Sequence, residues 1–95
     1  MPEMHFRVRW PDDTVTDCYS PSLVVKEHLE AGRSYPLAEF VQRSATALNI
    51  GSERVREKYG FACSSALDQL RRIEELAARF EASPDPVVRV ESFTP

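Results

Sequence analysis

Apolar and polar side chains alternate strictly over residues 4–10: Met4, Phe6, Val8 and Trp10 share one face, and His5, Arg7 and Arg9 share the other. That period of two marks a half-buried β-strand. Pro11-Asp12-Asp13-Thr14 is turn chemistry and residues 14–19 read as a second strand, so the chain is predicted to open on an antiparallel hairpin. On the second strand Val15, Asp17 and Tyr19 share one face and Thr14, Thr16 and Cys18 the other; the pattern does not say which is buried.

Beyond the hairpin the period lengthens. Ser20-Pro21 fits an N-cap followed by proline at the first helical position, so residues 21–29 read as a short helix, although Leu23-Val24-Val25 would equally suit an extended segment. Residues 30–34 read as a loop. From Pro36, Leu37, Phe40, Val41, Ser44 and Leu48 fall on one helical face; Glu39 in the first turn complements the helix dipole, and Gly51 supplies a stop. Ser52 is then placed to cap a short third helix to about Tyr59, with Val55 and Tyr59 inward and Gly60 ending it.

A fourth helix follows, with Leu67, Leu70, Ile73, Ala77 and Phe80 as its apolar stripe. Ser65 and Asp68 fit a capping pattern, and Asp68–Arg72 and Glu75–Arg79 are favourably spaced pairs. Ser83-Pro84-Asp85-Pro86 breaks this helix, and residues 87–93 read as a final strand with Val88 and Val90 inward. The order predicts a single α+β domain over residues 1–95. Its N-terminal hairpin and C-terminal strand form a small three-stranded sheet, covered on one face by three to four helices.

Composition narrows the function classes. The 95 residues carry a formal net charge of −3, against the concentrated positive charge of a nucleic-acid binder. The most periodic helix sets Asp68, Glu74 and Glu75 against Arg71, Arg72 and Arg79, which suits a DNA-reading helix poorly. No apolar run approaches the ~18 residues of a membrane span. The N-terminus reads as a strand rather than a signal peptide, and two cysteines make no disulfide framework. The expectation is a cytoplasmic protein with reduced thiols.

No complete catalytic or cofactor motif occurs, which points away from an enzyme. The one chemically suggestive stretch is Tyr59-Gly60-Phe61-Ala62-Cys63-Ser64-Ser65, which opens into the last long helix. A thiol before a capped helix start can gain thiolate character, yet cysteine is also among the most buried residue types. His5, Cys18, His28 and Cys63 form a Cys₂His₂ set on paper but lack the close pairing of a zinc site. A basic cluster of Arg54, Arg56, Lys58, Arg71 and Arg72 beside the Gly51-Ser52 helix start could receive an anion; interleaved Glu53, Glu57, Glu74 and Glu75 favour a plain solvated face. A ligand-binding reading therefore gathers Cys63, Ser64, Ser65, Ser52, Arg54 and Tyr59. The competing reading starts from aromatics near the turns (Trp10, Tyr19, Tyr35, Tyr59, Phe61) and an incompletely covered small sheet, and expects an apolar interface with a partner or a second copy.

The segments MPEMHFRVRWPD, CYSPSLVVKEHLEAGRSYPLAEFVQRS and SERVREKYGFACSSALDQL resemble a small bacterial family of nitrogen starvation response proteins. The family is encoded in gene clusters with a nitrilase and associated with a radical SAM protein, an N-acetyltransferase and a flavin-dependent oxidoreductase. The resemblance covers approximately residues 1–75. It implies a cytoplasmic accessory role in assimilating nitrogen from nitriles or cyanide, through a pathway partner or self-association, and transfers no catalytic residues. Two hypotheses stand at this point: a non-catalytic partner-binding protein, and a small-ligand-binding protein or minor enzyme using Cys63 beside a helix N-terminus.

Overall fold

The alternation over residues 4–10 becomes β1 (Met4–Arg9), whose even-numbered side chains are buried beneath helices. Residues 3–61 and 64–94 are described by the structure, a computed structural model. β1 pairs antiparallel with β2 (Val15–Ser20). In the hairpin turn the Asp13 N–H donates to the Trp10 carbonyl (2.9 Å) and the Trp10 N–H to the Thr14 carbonyl (2.8 Å). Asp13 takes a left-handed φ of 69°, as a three-residue hairpin loop requires. Asp12 accepts from both the Thr14 amide (3.1 Å) and its hydroxyl (2.6 Å), which holds the Asp12 carboxyl below its usual range. The register resolves the ambiguous face of β2: Cys18 and Ser20 point inward.

The sheet has four strands, one more than the sequence reading predicts, in the order β2-β1-β4-β3 and antiparallel throughout. β4 (Val87–Thr94) joins the open edge of the hairpin as expected, with Val88 and Val90 fully buried. The additional strand is β3 (Ser34–Pro36), on β4's far side. Three residues ending in proline carry no readable period; long-range pairing makes them a strand. The Val90 N–H donates to the Arg33 carbonyl (3.0 Å) and the Gly32 N–H to the Val90 carbonyl (2.6 Å). Tyr35, buried in β3, accepts the Glu30 amide at its hydroxyl (2.8 Å), while the Arg33 and Arg43 guanidinium groups lie 5.1 and 5.2 Å from its ring centre.

Three helices are present among the described residues: α1 (Val25–His28), α2 (Leu37–Tyr59) and α3 (Ser64–Ala78). α1 is one turn, shorter than predicted, because Ser20 and Ser22 hydrogen-bond each other in a tight turn (Ser20 Oγ to Ser22 O, 2.8 Å). The predicted second and third long helices are one. Gly51 does not end α2; it lies within it, facing buried Pro21, and a Cβ there would sit 3.1 Å from Pro21 Cγ. The stop is Gly60, at φ 86°, whose N–H donates to the Arg56 carbonyl. α2 and α3 pack antiparallel over the inner sheet face. Trp10 anchors the core, edge-on to Phe40 at 5.6 Å and stacked on Phe80 at 6.1 Å, with its indole N–H donating to Thr16 Oγ1 (3.0 Å).

Leu67, predicted inward, is 45% exposed. Asp68 pairs with Arg71 (3.0 Å) rather than Arg72, and α3 already includes Ser65 as a helical residue instead of a cap. The outer sheet face is polar. Arg7–Asp17 and Arg9–Glu91 are ion pairs across strands, and a bulge in β4 opposite Arg7/Val8 brings Glu91 under Arg9. The Arg9 hydrogen bond holds the Glu91 carboxyl below its usual range.

Gly51 generates a stability prediction. Gly51→Ala should leave unfolding within about 1 kcal/mol of the wild type, since the helix-propensity gain offsets crowding on Pro21. Gly51→Leu should destabilise by about 1–3 kcal/mol through overpacking. Urea unfolding followed by circular dichroism reads both; a Leu variant as stable as the wild type would contradict the close approach.

Candidate functional site

The residues that the ligand-binding reading gathers are spread along the helical pair. Cys63 lies outside the described residues. Ser64 and Ser65 are the exposed first residues of α3. Ser52 is not at a helix start: it is buried in the body of α2, 5% exposed, next to Gly51 and the Pro21-Ser22 turn. Arg54 reaches back to that turn, its Nη1 3.4 Å from Ser22 Oγ. Tyr59, expected inward, ends α2 with 52% of its surface exposed and the Lys58 ammonium 5.5 Å from its ring centre. Arg54 thus belongs with the Ser22 turn, Ser52 lies in the body of α2, and Tyr59, Ser64 and Ser65 belong to the far end of the helical pair.

The histidines and the described cysteine lie in separate places. Cys18 points into the core, 1% exposed, with Thr16 Oγ1 3.8 Å from its sulfur. His5 projects from the opposite face and meets Tyr19 edge-on at 5.8 Å. His28 ends α1, where its carbonyl accepts from Arg43 Nη1 (3.0 Å). Among the described residues no group of three His, Cys, Asp or Glu side chains could hold a metal ion. Burial pushes the Cys18 thiol from its ordinary 9.0 up to about 11, keeping it neutral and poorly nucleophilic.

One surface feature is missed by the sequence reading. An open cleft of about 620 Å³ lies where the first turns of α2, the end of α3 and the segment 81–86 meet. Pro36, Ala38, Val41 and Pro86 give it apolar walls above buried Leu37 and Ala77. Its rim carries three exposed carboxylates, Glu74, Glu81 and Asp85, and its lining contains no Lys, Arg or His. Among the described residues none of the three carboxylates forms an ion pair. A hydrogen bond from the Leu37 N–H to the Pro86 carbonyl (3.0 Å) fixes the cleft floor by tying the start of α2 to the approach of β4.

The lining of the cleft holds no thiol, hydroxyl or imidazole. Apolar walls can bury aliphatic or aromatic groups, and the rim selects for positive charge beside them. No local sequence signal marks the cleft: Glu74 lies on α3 and Glu81 in the turn after it. Their apolar complement comes from residues some forty positions earlier.

A family model described as nitrogen starvation-induced protein NitG matches residues 5–93. No match was found among curated proteins or among solved structures. No helix among the described residues is long and apolar enough to cross a membrane.

The Cys18 environment predicts the thiol chemistry of the fold. In a Cys63→Ser variant, Cys18 should resist a thiol reagent at about pH 8 while folded and react at once when unfolded. Because the folded thiol holds its proton more tightly than the unfolded one, its contribution to stability is complete below about pH 9 and is lost as pH rises through about 11. Fast native labelling would contradict this burial.

Proposed function

The chain belongs to the NitG family of nitrogen starvation-induced proteins, and on that footing we propose that it is a non-catalytic partner-binding protein of the nitrogen starvation response. It acts in the cytoplasm as an accessory to a pathway that assimilates nitrogen from nitriles or cyanide, alongside the nitrilase with which the family resemblance associates it. The observation that carries this reading is the acid-rimmed apolar cleft between α2, α3 and segment 81–86. Its occupant is a protein segment that presents apolar side chains flanked by Lys or Arg. Such a segment would bury against Val41 and Pro86 and neutralise Glu74, Glu81 and Asp85.

Three further observations support binding over catalysis. The described histidines and cysteine point to separate places, the strongly shifted thiol is shifted toward inertness, and the cleft lining holds no thiol, hydroxyl or imidazole. Unpaired surface carboxylates contribute little to the stability of the isolated chain, so their grouping on an apolar cleft is better explained by what they meet.

The test is a photo-crosslinking residue at position 41 in the full chain, in nitrogen-starved cells, with position 7 on the open sheet face as control. The expected result is a protein adduct from position 41 that position 7 does not give and that Glu74→Lys/Glu81→Lys abolishes. Growth on a nitrile as nitrogen source should fall with the same double variant. Absence of an adduct at position 41, or an adduct indifferent to the rim charges, would overturn the proposal.

A further inference from the structure

We propose that the open face of the sheet carries a second, polar site, which binds the head group of a free α-amino acid, a carboxylate and an ammonium on neighbouring atoms. The site is separate from the acid-rimmed cleft and does not rest on the docking reading.

A depression of about 300 Å³ lies on the sheet face that the helices leave uncovered. It is lined by His5 and Arg7 of β1, Asp17 of β2, and Ser92 and Thr94 of β4. That volume is at the small end of ligand sites, which run from about 300 to about 1,000 Å³. The strand registers set the side chains in two rows, Asp17–Arg7–Ser92 and Tyr19–His5–Thr94.

The β4 bulge creates this grouping. Val8 faces Val90, so an unbroken ladder would set Glu91 opposite Arg7, Ser92 opposite inward Phe6, and Phe93 opposite His5. Glu91 is instead the extra residue, and Arg7 faces Ser92, Phe6 faces Phe93 and His5 faces Thr94. The bulge thus takes a carboxylate and a phenyl ring away from Arg7 and His5 and gives them two hydroxyls. Bulges re-aim side chains in this way beside active sites. Glu91 is itself closed off between Arg9 and Arg89.

The ion pair left in the depression is half engaged. Arg7 Nε donates to Asp17 Oδ1 (3.3 Å), and among the described residues neither side chain makes another hydrogen bond. That uses one of the five N–H donors of the guanidinium and one carboxylate oxygen. The side chains of Ser92, Thr94 and His5 make no hydrogen bond among the described residues, and the His5 ring rests edge-on against Tyr19 at 5.8 Å.

The lining selects the class of ligand. All five side chains are polar, so nothing here buries a hydrophobic group. One fixed cation beside one fixed anion favours a small molecule that carries both signs; a phosphate or di-acid would be repelled by Asp17. A planar carboxylate matches the two Nη groups of Arg7. Ser92 and Thr94, across Arg7 from Asp17, add hydroxyl donors on that side. An ammonium has donors only and suits the remaining oxygen of Asp17. The pair is 56% and 66% exposed, so the site is open and reads the head group without enclosing the amino-acid side chain.

The experiment is a titration of the full-length protein with glycine at constant ionic strength, followed by the amide NMR signals of the three strands. Signals of Arg7, Asp17 and Ser92 should move and saturate with a Kd of about 1–10 mM, as suits a small open site. Acetate and methylammonium, which carry one charge each, should bind about tenfold more weakly or worse, as the loss of a charge-assisted hydrogen bond requires. Arg7→Gln should weaken glycine and acetate alike by about tenfold, whereas Asp17→Asn should weaken glycine and spare acetate. Both positions are solvent-exposed, and the remaining amide signals verify the fold. No saturable shift with glycine up to about 100 mM would overturn the proposal. So would shifts confined to other parts of the chain, acetate binding as tightly as glycine, or glycine binding indifferent to Asp17→Asn.

Discussion

Pairing between the two ends of the chain holds the rest of the structure in place. β1, which begins at Met4, and β4, which ends at Thr94, lie side by side at the centre of the sheet, flanked by β2 and β3. Their inward residues Phe6, Val8, Val88 and Val90 are all fully buried. At about 1.5–3 kcal/mol for each such side chain, this layer outweighs the exposed ion pairs on the outer face, which are worth about 0–1 kcal/mol each. α2 and α3 are held because they cover this layer, with Phe40, Leu48 and Ile73 pressed onto it. β3 exists only because β4 offers it an edge.

The same constraint builds the candidate site. To reach the middle of the sheet, the chain must return from the end of α3 through Ser83-Pro84-Asp85-Pro86 and pass the start of α2. There Pro86 accepts the Leu37 amide, and the gap between the helix ends stays open as an apolar cleft. Among the described residues the carboxylates at its edge form no ion pair. Where α2 gives way to α3, Tyr59, Phe61 and Leu67 are left in solvent.

Much of this was legible in the sequence. The alternation in β1 and β4 and the helical stripe of Phe40, Ser44 and Leu48 reflect local periods that burial enforces, and each took its expected place. What failed depended on distant partners. Gly51 reads as a stop by propensity, but its missing side chain lets Pro21 pack against an unbroken helix; with the break went the capping role of Ser52. Leu67 and Tyr59 fit an inward stripe by spacing, yet both are exposed, and it is Ala66 that takes the buried place in the first turn of α3. β3 has too few residues to show a period. The cleft draws on residues 36–41, 74–81 and 85–86, and no single window contains it.

Native-state hydrogen exchange tests the central claim, that the pairing of the chain ends and the cleft form one cooperative unit. The Leu37 amide, bonded to the Pro86 carbonyl, and the Val90 amide, bonded to the Arg33 carbonyl, report on the cleft floor and on β4. Both should exchange only with the free energy of global unfolding, matching the ladder amides of β1. Exchange of Leu37 and Val90 through a much cheaper local opening, with β1 and β2 still protected, would contradict the account.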